Sequence, residues 1–392
     1  MAKDIKDITR NLSFDTLDNV DRFLRVTQPL GSHGRAISNN LYGINHRNVK
    51  GVIPENRDSY GLVFFTRPQL NLSSGNLRNI RKFYNLLTTN EKSIHRYVRC
   101  MLDPRLSLPD GGYGRDYKNM SGLTPAEQEN KALMDEIYNI YGPKQVISPL
   151  VDEGLGFIPI LTNTLKSLKG WPDITLPTFT SKEGLKREQW SIADGMIDIY
   201  ESFDLDCTFR NIKDEPLVLM FETWLRYMAL VFEGMIGPYM DFMVENEIDY
   251  NTRIYRIVLD ESKTFVKKIA AVGAAFPVNV PNGAFFDFED TEKYNQASKD
   301  INIRFKCMGA EYNDDILIEE FNMVTKIFNT EMFDANGKIT KNFAKVPYNL
   351  LDLFNNRGYP LIDKNTLELC WYVRKDSKFV QEITKAYQLK LV

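Results

Sequence analysis

The sequence predicts an α+β fold, and three observations carry that prediction. Residues 203–210 read Phe-Asp-Leu-Asp-Cys-Thr-Phe-Arg, apolar on odd positions and polar on even, the two-residue period of a strand with one buried face. Residues 301–307, Ile-Asn-Ile-Arg-Phe-Lys-Cys, repeat that alternation. Between them Leu217, Phe221, Trp224, Leu225, Met228 and Phe232 recur at three- and four-residue steps behind Asp214 and Pro216, the wide apolar stripe of a helix that covers a sheet. Two further extended runs, 252–259 and 267–280, lie between that helix and the last strand.

Composition sets the frame for these elements. The chain has 392 residues, 43% hydrophobic and 26% charged, the profile of a globular protein with ample core. Aromatics at 12% favour β-rich structure. A net charge of -3 makes no case for nucleic-acid or membrane binding by bulk charge. Residues 1–120 hold 19 Lys and Arg against 11 Asp and Glu, so the start of the chain is basic and could dock on an acidic neighbour. Cys100, Cys207, Cys307 and Cys370 are widely spaced and match no metal or redox motif. Cys207 and Cys307 fall on the apolar phase of their strands, which predicts buried free thiols and a reducing compartment. No apolar signal core opens the chain and no uncharged run is long enough to span a bilayer, so the expectation is a protein made in the cytosol with no membrane partner.

Taken in order, residues 1–60 are polar, rich in Gly and Asn and without a period after a possible short helix at 15–28, and predict an extended arm that orders on a partner. Residues 61–170 predict a mixed, mostly helical region. It holds a buried strand at 61–66, a helix at 76–87 with Arg78, Arg81 and Lys82 on one side, a Gly/Pro-rich loop at 103–123, and a helix at 124–141. That last helix opens on Thr124-Pro125-Ala126-Glu127, a capping box with Pro at the first helical position, and stops at Gly142-Pro143. Residues 171–312 form the β domain. Within it 173–177 and 190–194 read as extended, and 185–200 reads as either a helix or a loop. Pro277 and Pro281 cannot donate to a ladder, which predicts an edge or bulge before the Pro281-Asn282-Gly283 turn. Phe285, Phe286 and Phe288 follow in a predicted loop, as candidates for contact with another subunit or for packing back on the domain. Residues 313–392 predict a C-terminal α/β extension: a helix capped by Asp314 or Asp315, a turn at 334–338, a short helix at 349–355, a turn at 358–360, a strand at 367–373 and a final helix at 379–389.

No catalytic chemistry emerges. His33, His46 and His95 have no neighbours at metal-ligand spacing. There is no Gly-x-Ser-x-Gly elbow, and the pairs Asp314-Asp315 and Glu319-Glu320 are adjacent on a helix, where side chains do not face each other. The expectation is a protein with no enzymatic activity, no metal and no cofactor.

The order of elements from 203 to 312 carries a resemblance. A charged alternating strand, an aromatic helix, a two-strand excursion, the Pro281-Asn282-Gly283 turn and a closing alternating strand resemble the tail-tube fold of contractile-tailed bacteriophages. More closely they resemble the baseplate tube-initiator proteins, which add a large N-terminal part. The resemblance covers 110–140 residues and rests on element order rather than on a diagnostic motif. It implies an antiparallel β half-barrel with a packed helix, and a virion protein assembled in the host cytoplasm. It further implies a six-fold ring at the tube–baseplate junction with the tail tube subunit and baseplate hub proteins as partners, and a channel for transient passage of viral DNA. By alternation Phe203, Leu205, Cys207 and Phe209 would meet Ile301, Ile303, Phe305 and Cys307 in the core. Asp204, Asp206 and Thr208, with Asn302, Arg304 and Lys306, would line the lumen. An acidic lumen would let DNA slide; Arg304 and Lys306 fit that picture only if they pair with the aspartates. Two other readings stand beside this one: a tail-completion or neck ring protein, and a non-virion protein that binds nucleic acid or acts as a scaffold.

Overall fold

The computed structural model describes residues 60–88, 92–107, 154–195, 201–287, 300–334, 337–354 and 357–387, with positions 90, 150, 152, 290 and 291. The expected arm before Tyr60, most of the 103–123 loop, the helix at 124–141, residues 196–200 and Phe288 lie outside the described residues.

In chain order the strands and helices are β1 (Gly61–Phe65), α1 (Ile94–Leu102), α2 (Pro159–Thr164), β2 (Leu165–Lys169), β3 (Thr178–Thr180), β4 (Ser191–Ala193), β5 (Ser202–Arg210), α3 (Pro216–Phe232), α4 (Met240–Glu245), β6 (Thr252–Leu259), β7 (Val266–Pro277), α5 (Asn282–Phe286), β8 (Asp300–Tyr312), α6 (Ile316–Phe328), β9 (Phe343–Val346), β10 (Tyr359–Ile362), β11 (Leu369–Arg374) and α7 (Lys378–Ala386). Residues 76–87 do not make the single helix that their spacing suggests. A turn of α-helix at Ser74–Leu77 gives way to a 3-10 segment at Arg81–Leu87.

Six strands make one antiparallel sheet in the order β1-β6-β7-β8-β5-β2. Its two edges nearly meet. Thr66, just past β1, bridges Phe157, and Ile158 N–H donates to Phe65 O at 2.9 Å. The Thr162 hydroxyl of α2 then donates to Val63 O at 2.7 Å, and α2 runs directly into β2. The sheet therefore curls into a nearly closed half-barrel, which covers edges that would otherwise template aggregation. β1 and β2 come from the 61–170 stretch, so the boundary expected at residue 170 cuts through this sheet. Gly273 stands opposite Gly309 at the bend, where the register of β7 slips against β6. Gly309 has φ +70°, a conformation most residues resist.

The concave side closes over α3. Asp214 and Glu215 turn the chain in left-handed conformations and Pro216 opens the helix. Leu217, Met220, Phe221, Trp224 and Tyr227 are buried against Leu205, Phe209, Ile303 and Phe305. The Trp224 Nε1–H donates to Tyr250 O at 3.0 Å, and its ring stacks on Phe221. Each such side chain contributes about 1.5–3 kcal/mol by burial. The predicted stripe holds as far as Met228, which packs on the core, and fails at its end: Phe232 is 93% exposed, because the helix outruns the sheet that covers it.

The same core takes in Leu72, Leu77, Phe83, Val98 and Leu102, so the region after β1 packs onto the half-barrel. Arg67 and Asp103 tie it down. The Arg67 guanidinium donates to Cys100 O, Met101 O and Leu155 O. The buried Asp103 carboxylate accepts from Leu72 N–H at 3.0 Å, the Tyr239 hydroxyl at 2.7 Å and Arg105 N–H at 3.1 Å. On the convex side α6 covers β1, β6 and the start of β7, where Phe64, Tyr255, Ile257 and Phe321 form a second core. The smaller sheet β10-β11-β9 adjoins it. β7 lies inside the sheet, but its register slips against β6 between Val272 and Ala275, and Pro277 stands beyond the last residue that pairs with β6, a local edge where its missing N–H costs no ladder bond. The short helix expected at 349–355 is a 3-10 turn at Tyr348–Leu350 followed by turns. The turn at 358–360 runs into a buried strand, β10.

Candidate lumen face and contact surfaces

The pairing of β5 with β8 decides where each alternating residue points. Residues directly opposite across an antiparallel pair share a face. Leu205 lies opposite Phe305, Cys207 opposite Ile303 and Phe209 opposite Ile301, and all six are buried against α3. On the other face Asp204 lies opposite Lys306, Asp206 opposite Arg304, Thr208 opposite Asn302 and Arg210 opposite Asp300. The six predicted polar residues therefore come together on one solvent-facing surface, which no helix among the described residues covers.

Their charges are matched. Lys306 Nζ sits 3.0 Å from Asp204 Oδ1, and Arg304 Nε donates to Asp206 Oδ1 at 3.0 Å. The Thr208 hydroxyl donates to Asn302 Oδ1 at 2.9 Å. Asp300 accepts from Lys166 Nζ of β2 at 2.6 Å, which extends the ladder by one strand. The bond to Asp206, then the charges of Asp206 and Asp204, raise the Arg304 pKa. Asn279 braces the register: its Oδ1 accepts from Arg304 N–H at 2.6 Å and its Nδ2 donates to Asn302 O at 3.2 Å. The face is thus a lattice of paired charges and not an acidic strip. Exposed, solvent-screened pairs of this kind add little to stability, so the ladder's importance lies in its surface character.

Of the contact candidates, Phe285 is only 7% exposed and packs into the core around α3, the packing-back alternative of the two expected. Its segment is a helical turn, α5, which points Phe285 inward and leaves Phe286 87% exposed. Lys166, Arg210 and Asp300 were missed as members of the ladder. The alternation alone reaches Arg210 and Asp300, one step further along each strand; Lys166 lies on a strand too short to carry a period. Among the described residues no group of His, Cys, Asp and Glu side chains could hold a metal ion, and no helix is long and apolar enough to cross a membrane.

The curled antiparallel sheet is filled on one side by α3, and on its other side α6 covers β1, β6 and the start of β7 while β5 and β8 present the charge-paired wall, the build of a structural subunit. The comparison of sequences makes this specific. Residues 3–387 match the family described as "Putative phage tail tube protein", and the chain belongs to that family. It is a structural component of a phage tail. Similar solved structures include the tube-terminating cap of the anti-feeding prophage, at 12% identity and a TM-score of 0.24 over 40% of this chain and 81% of that one. The sheath/tube terminator of an extracellular contractile injection system, PVC, in its extended state is similar at 12% identity and a TM-score of 0.22, over 40% and 84%. A chain of the PVC sheath–tube complex in the extended state is similar at 14% identity and a TM-score of 0.22, over 40% and 80%. No curated protein matches the chain.

Proposed function

We propose that this chain forms a six-fold ring at the junction of tail tube and baseplate, where it starts or continues the tube and lines the DNA channel. The observation that carries this reading is the uncovered face of β5 and β8. A half-barrel with one side filled by α3 leaves its charge-paired side for a lumen. Paired Asp204–Lys306 and Asp206–Arg304 neither repel the phosphate backbone strongly nor hold it, which suits transient passage of viral DNA. The material outside the six strands, α1 with its flanking turns and the unit from α6 to α7, supports an adaptor that bridges the tube subunit and baseplate hub proteins. Assembly takes place in the host cytoplasm and the protein ends in the virion. Mass spectrometry of separated tails tests this directly. A few copies per tail, released with the baseplate fraction, are expected. Copy numbers matching the tube subunit would make it the repeated tube protein, release with the neck would make it a completion ring, and absence from tails would overturn the reading.

A further inference from the structure

Among the described residues β3 and β4 pair only with each other, and every residue in both is exposed. In register Phe179 faces Ile192 on one side of this ribbon, and Trp190, two residues from Ile192, joins them in an edge-to-face contact with Phe179 at 6.2 Å. Thr178, Thr180, Ser191 and Ala193 occupy the other side, with the Thr180 and Ser191 hydroxyls 2.9 Å apart. The ribbon is therefore amphipathic with its apolar side bare, and Leu185 at its tip is wholly exposed. A lone two-stranded hairpin is marginal in water, so this side needs a cover. The base of the excursion is anchored: the Tyr312 hydroxyl donates to Pro172 O at 2.6 Å, and the Trp171 and Tyr312 rings are in contact.

A second bare apolar surface lies at the end of α3 and on α4. Phe232, Met235, Met240, Met243, Val244 and Ile248 are all exposed. The surface is firmly mounted, since Asn71 and Asn76 donate to Gly237 O at 2.9 and 3.1 Å, and the Tyr239 hydroxyl is held by Asp103. Residues 233–248 contain Glu233, Asp241, Glu245 and Glu247 and no Lys or Arg. Asp241 pairs with Arg105; among the described residues no cation pairs with the three glutamates. The hairpin tip has the opposite bias, with Lys182, Lys186 and Arg187 beside Glu183 and Glu188, and Glu188 is turned back onto the Lys186 N–H.

We infer that the β3–β4 hairpin of one copy docks its apolar side on the α3–α4 surface of a second copy, with the tip cations against Glu233, Glu245 and Glu247. Both surfaces are on every chain and both are exposed, so they do not cover each other within one molecule. The occupant is a second copy because apolar surface and charge match between the two patches. The exposed row on α6, Ile316, Met323 and Ile327, is less suited, because Glu319 and Glu320 beside it are already paired with Lys364 and Arg253. Two different patches meeting make a heterologous contact, which propagates from copy to copy instead of stopping at a pair. The inference rests on the assembly of copies that the proposed function requires. It adds which surfaces meet.

The test uses the full chain and two exposed double variants, Trp190→Ser/Ile192→Ser in the hairpin and Met240→Ser/Val244→Ser in the α4 surface, each checked for unchanged thermal unfolding. Mass photometry and sedimentation should show wild type associating beyond two copies, and each variant alone weakened by about thirtyfold or more, as for a buried aromatic anchor. Mixed together, the two variants retain one intact hairpin and one intact surface, so they should form one-to-one pairs and go no further. The inference is overturned if the hairpin variant associates as wild type does, if the α4 variant does so (a hairpin-to-hairpin contact), or if the mixture gains no pairs. A wild type that stays monomeric at about 100 μM, where even a weak specific contact is populated, overturns it as well. The position in the tail is read separately, from copy number in purified tails, so either reading can fail alone.

Discussion

Replacing Asp103 by Asn should flatten the pH dependence of stability between about pH 4 and 6. The carboxylate has no exposed surface. Burial pushes its pKa up from 3.8 to about 6, against the bonds from Tyr239, Leu72 and Arg105 and the charge of Arg99, which pull it down. An acid with a higher pKa folded than unfolded takes up a proton on folding between the two values. Its stabilising contribution is therefore complete below about pH 4 and is lost as pH rises through about 6. A displacement of about two units corresponds to about 3 kcal/mol, which this group alone adds on acidification from neutral pH to pH 4. Asn cannot titrate. It keeps one acceptor oxygen and turns its amide N–H toward Arg105 N–H, donor against donor, so at pH 4 the variant should be weaker by about 1–3 kcal/mol. Towards pH 7 the gap should narrow, because the wild-type carboxylate is then charged. Urea midpoints for both proteins from pH 4 to 7.5 provide the measurement, with the difference between the two curves isolating this group from every other carboxylate. Curves that run parallel across that range would refute the argument from a buried charge.

Four further outcomes are expected. Gly170 has φ +106°, and a Cβ there would stand 2.3 Å from Asp204 O, so Gly170→Ala should cost about 2 kcal/mol or more in urea unfolding and loosen the β2–β5 edge. Trp224→Phe removes the donor to Tyr250 O and leaves unfilled volume beside Phe221; a loss of about 1–3 kcal/mol in thermal unfolding is expected, and a neutral result would mean that the α3 packing is misjudged. Asp206→Arg should leave the urea midpoint nearly unchanged but make the face cationic, so that assembled protein retains DNA at low salt; the swap Asp206→Arg/Arg304→Asp should restore free passage. All four thiols are buried, with Cys307 pushed up to about 12, Cys370 to about 11, and Cys100 and Cys207 also raised by burial. None should react with iodoacetamide at pH 8 until urea unfolds the chain.

Much of the half-barrel was legible because its elements obey a single period. The alternation at 203–209 and 301–307 assigned the inward and outward side chains of β5 and the first half of β8, since a strand offers only two faces. The stripe from Leu217 to Trp224 likewise identified the covering helix. Of the short strands β1 was legible as a wholly apolar run, but β2, β9 and β10, with four or five residues of mixed character, have too few to repeat a period. α1 escaped because its buried positions include Arg96 and Arg99, which read as surface until their burial, and the hydrogen bonds of Arg99, are seen. By itself the sequence determined which residues could form a wall, and which side of each strand would be polar. Only the tertiary structure decided that β1 and β2 join that wall, that Arg304 and Lys306 neutralise Asp206 and Asp204, and that Phe285 turns inward while the β3–β4 ribbon stands bare. The physical reason is the range of the interactions. Alternation is a local consequence of backbone geometry. Register, charge pairing and cover depend on residues about a hundred or more positions apart, whose meeting is set by how the whole sheet closes.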